Sequence, residues 1–201
     1  LVSRLFAEGK YQECINIFSN SNYLELSIEE QKLFAKSYLL SEKFDNSVEI
    51  YQKLLLDGIL DAEVYCNIAR SYLSLGDSIN SKKHYHLLEK ISPSFPPMCR
   101  GLALAYSLEG DYDNSIKYSE KFQEHFNGDA YSVADTYYQV YLSFGEIDKA
   151  NSIINSLGYQ QTDGRFKLLR VKAYAKNKRF NDAIKELGSI SGWGKLSEEL
   201  S

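Results

Sequence analysis

A short phrase recurs along the chain at a nearly fixed period. It reads SYLSLGDSINS from Ser71, AYSLEGDYDNS from Ala105 and VYLSFGEIDKA from Val140, and weaker copies start at Ser37 and Ala173. Successive tyrosines of the phrase are separated by 34, 34, 35 and 33 residues, in the series Tyr38, Tyr72, Tyr106, Tyr141 and Tyr174. Such a period predicts a stack of similar structural units, each too small to bury its apolar face alone.

Each copy also has a small side chain nine residues after its tyrosine, and the N-terminal segment EGKYQEC supplies one more. These residues are Cys14, Ser47, Ser81, Ser115, Ala150 and Ala183. A small side chain lets two antiparallel helices approach closely, and the tyrosine ring fills the space beside it. We therefore expect all of these positions to be buried at helix contacts that tolerate larger residues poorly.

One copy illustrates the local structure that the pattern predicts. Over residues 62–75 the apolar side chains follow the i, i+3, i+4, i+7 spacing of an amphipathic helix. Gly76 then favours the left-handed conformation that ends a helix, and Asp77 is a good N-cap for the next one. A second helix is predicted over residues 79–91, before Pro93. Each unit is thus a helix, a tight turn and a second helix.

The composition agrees with an all-α fold. The chain is 44% hydrophobic and 25% charged, which is typical of soluble globular proteins, and its three prolines are confined to residues 93–97. The net charge of −4 gives no positive field for a phosphate backbone, so we expect no nucleic-acid partner. No apolar run approaches the roughly 20 residues of a membrane-spanning helix, so we expect no direct membrane insertion. Because the first residue is Leu rather than Met, we interpret the chain as a fragment of a longer protein.

The sequence contains no signature of catalysis or of a cofactor. It lacks the phosphate-binding loop, the serine-nucleophile elbow and the zinc-binding H-E-x-x-H, so we predict a chain that is not an enzyme. His84 and His86 lie two residues apart on a helix and point to different faces, which argues against a metal site. Cys14, Cys66 and Cys99 are odd in number and widely spaced, so we expect buried free thiols and favour the reducing cytoplasm.

The chain resembles the tetratricopeptide repeats. The copy that starts at Ala62 matches the pattern of that family at Tyr65, Ile68, Ala69, Tyr72, Gly76, Asp77, Ser81, Tyr85 and Pro93. Departures include Glu42 and Lys178 in place of the turn glycine, and Arg170 where an apolar residue is expected. The resemblance implies an all-α, right-handed superhelical α-solenoid of antiparallel helix pairs, whose concave surface is lined by the first helix of each pair.

About five full repeats and an N-terminal half-repeat are expected to form a single solenoid over residues 1–201. The predicted units are the half-repeat 1–27 and the repeats 28–61, 62–95, 96–130, 131–163 and 164–190. We interpret residues 191–201 as a cap or as the start of a further repeat, with Trp193 packed on the last helix pair.

In this family the residues that face the groove come from fixed places on the first helix of each unit. The charged residues at those places are Glu29, Lys32, Lys36, Glu63, Arg70, Arg100, Asp135, Arg165, Lys172 and Lys176. Seven basic and three acidic side chains give this surface a charge of +4, although the whole chain carries −4. Such segregation favours an acidic or carboxylate-ended peptide as ligand, and a mixed solvated surface is the alternative.

Some members of the family hold the C-terminal Glu-Glu-Val-Asp tails of heat-shock chaperones with a set of five Lys, Arg and Asn residues. Lys32 and Asn67 match two of those places, but Lys36 replaces an asparagine, and Pro97 and Gly101 replace the last Lys and Arg. Two matches are too few to predict binding of chaperone tails. The predicted peptide-binding patch is Lys32, Lys36, Asn67, Arg70 and Arg100.

The sequence leaves three functions open. The first is a non-catalytic protein–protein interaction scaffold that binds an extended peptide or a partner helix in its groove. The second is a docking or regulatory arm of a multidomain enzyme, such as a glycosyltransferase, whose catalytic domain lies outside this chain. The third is self-assembly into a homo-oligomer, in which the terminal helix of one molecule fills the groove of another.

Overall fold

The computed structural model describes residues 1–157 and 164–190, and every regular element in these ranges is helical. The α-helices are α1 (Val2–Ala7), α2 (Tyr11–Ser19), α3 (Ile28–Leu40), α4 (Phe44–Leu56), α5 (Ala62–Ser74), α6 (Ser78–Ile91), α7 (Pro96–Leu108), α8 (Tyr112–His125), α9 (Ala130–Ser143), α10 (Ile147–Leu157), α11 (Gly164–Lys176) and α12 (Phe180–Gly188). A 3₁₀ turn covers Tyr23–Glu25. None of the helices in the described ranges is long and apolar enough to cross a bilayer.

Successive helices pack in pairs, and the pairs stack. Each first helix contacts its own second helix, as α5 contacts α6, and each second helix also contacts the first helix of the next pair, as α6 contacts α7. The first helices α3, α5, α7, α9 and α11 additionally contact one another in series. They therefore form one continuous layer, which we call the inner helix layer, and the predicted all-α solenoid is confirmed.

The turn within each pair keeps the same backbone geometry even where its glycine is missing. Gly76 has a φ of +79°, in the left-handed region that glycine adopts without strain. Glu42 and Lys178 stand at the equivalent places and have φ values of +58° and +57°. At the start of α6, the side chain of Asp77 accepts a hydrogen bond from the backbone N–H of Asn80 at 3.0 Å, as predicted for an N-cap.

The small side chains that recur with the period are buried, as the sequence predicts. Each of Cys14, Ser47, Ser81, Ser115, Ala150 and Ala183 is at most 5% exposed. The hydroxyls of Ser47 and Ser71 are hydrogen-bonded across 3.0 Å, and Ser71 belongs to the first helix of the next pair. The small residue therefore also allows close approach between neighbouring pairs, a contact that the sequence interpretation did not include.

The recurrent tyrosines have a wider role than filling the space within a pair. Tyr72 is half-buried on α5, and its ring stacks on that of His84 of α6 with 5.7 Å between centroids. Its hydroxyl accepts a hydrogen bond of 2.7 Å from Gln52 of α4, in the preceding pair. Tyr72 thus connects three helices of two neighbouring pairs.

The last described pair keeps the pattern in spite of the charged residue at an apolar place. Arg170 of α11 forms an ion pair with Glu186 of α12, with 2.6 Å between Nη2 and Oε1. The guanidinium is therefore satisfied within its own helix pair. The predicted cap at residues 191–201, with the contact expected for Trp193, lies outside the described residues.

Candidate functional site

A cavity of about 690 Å³ opens on the inner helix layer between α5 and α7. Side chains of α3, α5, α7 and α9 line it, together with Tyr85 of α6 and the aromatic residues Phe95, Phe122 and Phe126. Four residues of the predicted patch lie on its wall, namely Lys36, Asn67, Arg70 and Arg100. The structure thus brings together most of the predicted patch, and it places Lys32 outside the wall of the cavity.

Ion pairs neutralise the two lysines of the patch. Nζ of Lys32 lies 2.6 Å from a carboxylate oxygen of Asp61, the N-cap of α5. Nζ of Lys36 lies 3.1 Å from a carboxylate oxygen of Glu63 in the first turn of α5. In both cases the acid comes from the next helix pair, so the charges are matched across the stacking interface.

Arg100 is neutralised in the same way on the other side of the cavity. Its Nη2 lies 2.8 Å from Asp135 of α9, and its Nε donates to the hydroxyl of Thr136 at 3.1 Å. Two more acids, Asp61 and Asp129, pair with Lys32 and Arg165 of the predicted groove surface. With them, that surface has seven basic and five acidic side chains. The predicted charge of +4 along the inner layer therefore falls to +2.

Arg70 differs from the other cations of the patch. Its side chain is exposed at the cavity, and within the described ranges the structure gives it no ion pair and no hydrogen bond. One repeat period separates Lys36 from Arg70, and the same 34 residues separate Glu63 from Pro97. Pro97 also lines the cavity and carries no charge, so the place that supplies an acid to Lys36 supplies none to Arg70.

The apolar part of the wall is the feature that sequence reasoning missed. Leu73, Leu104, Phe95 and Phe126 line the cavity and are only half-buried. Two features of the sequence could have indicated this wall. One is Phe95, which directly precedes two prolines, and the other is the glycine within the apolar run of α7. A groove analysed only through its charges does not reveal these side chains.

Gly101 allows a buried aromatic ring to pack against the cavity-lining backbone of α7. A Cβ atom at this position would lie 2.1 Å from Cζ of Tyr85, whose ring is only 2% exposed. The missing side chain is therefore what admits the tyrosine ring against the backbone of α7. In the sequence this glycine was significant only as a departure from the chaperone-tail pattern.

Two further polar groups belong to the cavity wall. The hydroxyl of Tyr85 forms no hydrogen bond with any described residue, although the side chain is nearly fully buried. Asn67 lies on the same wall and is 8% exposed. A guanidinium, a phenol hydroxyl and an amide beside apolar side chains make an arrangement that can hold a carboxylate next to an apolar group.

The cysteines follow the prediction in two cases of three. Cys14 and Cys99 are buried, whereas Cys66 is half-buried and lines the cavity. Burial raises the pKa of the Cys66 thiol to about 11, although the guanidinium of Arg70 acts in the opposite direction. The thiol is therefore protonated at neutral pH, and it contributes to the wall as a small apolar group.

The two histidines of α6 face different neighbours, as predicted. His84 stacks on Tyr72, whereas His86 is hydrogen-bonded to Glu89 through Nδ1 and to Tyr106 through Nε2, each at 3.0 Å. Within residues 1–157 and 164–190, no group of three or more His, Cys, Asp or Glu side chains is arranged to hold a metal ion.

Comparisons with known proteins agree with the helical pairs. The family model of the tetratricopeptide repeat matches residues 62–95 and 98–124. No curated protein matches the chain.

Solved structures with this architecture cover most or all of the chain. A tetratricopeptide repeat protein from Parabacteroides merdae is 16% identical, with a TM-score of 0.76 over 100% of this chain and 80% of that one. The protein TTC0263 of Thermus thermophilus is 18% identical, with a TM-score of 0.69 over 88% of this chain and 95% of that one.

A third similar structure comes from a protein complex. It is the APC/C hetero-tetramer Cut9–Hcn1, at 16% identity and a TM-score of 0.64 over 96% of this chain and 38% of that one. At such identities the likeness shows the fold alone. The family model therefore identifies tetratricopeptide repeats at residues 62–95 and 98–124, and the described helix pairs share the fold of solved tetratricopeptide repeat proteins.

Proposed function

We propose that this chain is a non-catalytic scaffold that binds an extended peptide of a protein partner along its inner helix layer. The observation that carries the proposal is the cavity between α5 and α7, whose lining includes Lys36, Asn67, Arg70 and Arg100. A volume of about 690 Å³ lies within the range of ligand-binding pockets and is large enough for more than one side chain. Lys32 stands beyond this wall and belongs to the proposed surface as a flanking residue.

The preference for an acidic peptide centres on Arg70. Lys32, Lys36 and Arg100 already have carboxylate partners, so a bound acid must compete for them. Arg70 has no such partner among the described residues, and a hydrogen bond to a charged group contributes about 1.5–3 kcal/mol. Its neutralisation should therefore weaken binding more than neutralisation of any other cation in the patch.

The experiment is affinity capture from a lysate of the source organism, followed by mass spectrometry. Three baits are compared, namely the wild type, Arg70→Gln and the control Arg4→Gln, which changes an exposed arginine of α1. We expect a small set of proteins to be retained by the wild type and by Arg4→Gln and to be lost from Arg70→Gln. The same set on all three baits would show that binding does not use the cavity.

A single substitution is preferable to neutralisation of all four cations of the patch. Changing Lys32, Lys36 and Arg100 leaves Asp61, Glu63 and Asp135 without their partners. The resulting repulsion of an acidic peptide would mix two effects, loss of attraction and gain of negative charge. Arg70→Gln removes the attraction alone.

Self-assembly is the second candidate function, and one observation favours it. Phe180 and Ile184 lie four residues apart on α12 and are 60% and 66% exposed, so this helix presents an apolar face. Such a face is suited to contact the apolar wall of the groove in a second molecule. Light scattering tests this by measuring the molar mass of the protein over a range of concentrations. If the wild type shows a mass that rises with concentration, the double variant Phe180→Ser, Ile184→Ser should not. The enzyme-arm hypothesis concerns sequence beyond this chain and is tested by the full reading frame.

A further inference from the structure

We propose that the cavity between α5 and α7 recognises a two-residue pattern in an extended peptide, in which a bulky apolar residue is followed or preceded two positions away by Asp or Glu. This inference rests on the proposed function, since it names the ligand chemistry of the same groove. The apolar side chain would occupy the apolar wall, and the carboxylate would bind at Arg70.

The apolar wall is incomplete without a ligand side chain. Leu73, Leu104, Phe95 and Phe126 remain half-exposed at the cavity although each is large enough to pack in a core. Gly101 lines the cavity as well, and the ring of Tyr85 packs into the space of its missing Cβ atom. Enclosing a leucine or phenylalanine side chain would remove this apolar surface from water.

The polar wall contains hydrogen-bond donors that have no acceptor among the described residues. The hydroxyl of Tyr85, a residue that lines the cavity, has no hydrogen-bond partner among the described residues and is not fully enclosed by protein. The guanidinium of Arg70 and the amide of Asn67 share that wall. One carboxylate has enough lone pairs to accept from all three groups, so these residues match an acid better than a neutral side chain.

The spacing of two residues follows from the helix and from the peptide. Arg70 and Leu73 lie three residues apart on α5, where side chains stand about 5–6 Å from each other at Cβ. In an extended peptide, neighbouring side chains point to opposite sides, and residues two apart lie on one side at roughly 7 Å. An apolar residue two positions from an acid therefore reaches both walls at once, and directly adjacent residues do not.

Ion pairs bound the cavity at each end. Lys36 with Glu63 lies toward the N-terminal side, and Arg100 with Asp135 lies toward the C-terminal side. Each pair joins first helices of neighbouring repeats, so both pairs belong to the inner helix layer along which an extended peptide would run. An internal segment of the partner protein therefore suits this site, and the acid is a side-chain carboxylate.

The test is selection of short linear peptides from a phage-displayed random library on the 201-residue protein. We expect the selected sequences to be enriched in a bulky apolar residue two positions from Asp or Glu. The strongest peptide is then synthesised with blocked ends, and its Kd is measured by fluorescence polarisation. Arg70→Gln should weaken binding by about tenfold or more, as expected for loss of a charged hydrogen bond.

Two comparisons separate recognition from damage to the fold. Tyr85→Phe keeps the buried ring and removes only the hydroxyl, so it should weaken binding by roughly threefold to tenfold without changing the circular dichroism spectrum. Replacing the peptide acid by its amide should weaken binding to the wild type and have little effect on Arg70→Gln. The control Arg4→Gln should bind like the wild type.

Three results would overturn the inference. They are a library that yields no binder, selected peptides without the apolar and acidic pattern, and peptides that bind Arg70→Gln as well as the wild type. If partner capture still depends on the groove in those cases, the scaffold function stands and only the pocket is wrong. If capture is also unchanged by Arg70→Gln, both proposals fail.

Discussion

Replacement of Gly101 by Ala probes the close contact between the backbone of α7 and the ring of Tyr85 at the cavity wall. The added Cβ would lie 2.1, 2.3 and 2.4 Å from Cζ, Oη and Cε2 of Tyr85. Carbon atoms pack at roughly 3.5–4.0 Å, so the ring must move by more than about 1 Å. That ring is 2% exposed and belongs to the core cluster that also contains Leu88 and Met98. It therefore has little space into which it can move.

The magnitude follows from two opposing effects. Overpacking of a core costs about 1–3 kcal/mol, and Ala is favoured over Gly inside a helix by about 1 kcal/mol. Gly188→Ala is the matched control, because apart from its chain neighbours and the backbone of its own helix no described atom lies within 4 Å of its Cβ position. We expect Gly101→Ala to be less stable than this control by about 1–3 kcal/mol in urea unfolding followed by circular dichroism. Equal unfolding midpoints would refute the claim that the ring confines this position.

The other predictions on the scaffold concern its helix contacts, turns and caps. Ala150→Leu should lower the free energy of unfolding by about 1–3 kcal/mol, whereas exposed Lys149→Leu should cost under about 1 kcal/mol; similar thermal midpoints would contradict the close-approach argument. Glu42→Gly and Lys178→Gly should each raise stability by about 0.5–1 kcal/mol, because glycine adopts the left-handed turn without strain, and lower midpoints would count against this. Asp61→Ala should cost at least about 1 kcal/mol at pH 7, because it removes both the N-cap of α5 and the ion pair with Lys32. Burial opposes ionisation of Asp61, but its hydrogen bonds outweigh this effect, so the pKa of Asp61 is lower in the folded protein than in the unfolded chain. The stabilisation that the ionised carboxylate provides is therefore present above the unfolded pKa near 3.9 and is lost as the pH falls through the lower folded value. Unfolding at pH 7 and pH 2 should therefore give a smaller difference between wild type and Asp61→Ala in acid, and a constant difference would contradict it.

The scaffold could be predicted from the sequence because its signals are local and repeated. The spacing of small residues predicts the buried positions, and a single unit contains the helix pattern, the turn at Gly76 and the cap at Asp77. Even where the glycine is replaced, as at Glu42, the neighbouring units impose the same turn. Packing against the neighbouring repeats thus imposes the turn conformation even on a residue that does not favour it.

The groove could be predicted only in part, because its properties depend on residues that are distant in the sequence. Lys36 and its partner Glu63 are 27 residues apart, and Arg100 and Asp135 are 35 apart. Listing charges on the first helices does not reveal which of them are paired, so the positive surface was overestimated. The apolar wall was missed for a similar reason, since Phe126 reaches the cavity from the end of α8 rather than from a first helix.

Comparison of equivalent places in neighbouring repeats indicates which cations of the groove have an acidic partner and which do not. The variant Pro97→Glu tests this interpretation. Glu63 pairs with Lys36, and one period later Pro97 on α7 and Arg70 on α5 hold the equivalent places, where both line the cavity. Pro97 lies in the first turn of α7, where an acidic side chain is favourable to the helix, so the variant should fold with stability close to that of the wild type.

In Pro97→Glu the new carboxylate should pair with Arg70 and occupy the site that we assign to the ligand. Binding of the selected acidic peptide should therefore weaken by about tenfold, as for Arg70→Gln, through competition and like-charge repulsion. Pro97→Gln is the matched control and should bind like the wild type, because it changes the backbone in the same way and adds no charge. If Pro97→Glu and Pro97→Gln bind the peptide equally, the unpaired state of Arg70 is not what recognises the acid, and the groove must select its partner through the apolar wall alone.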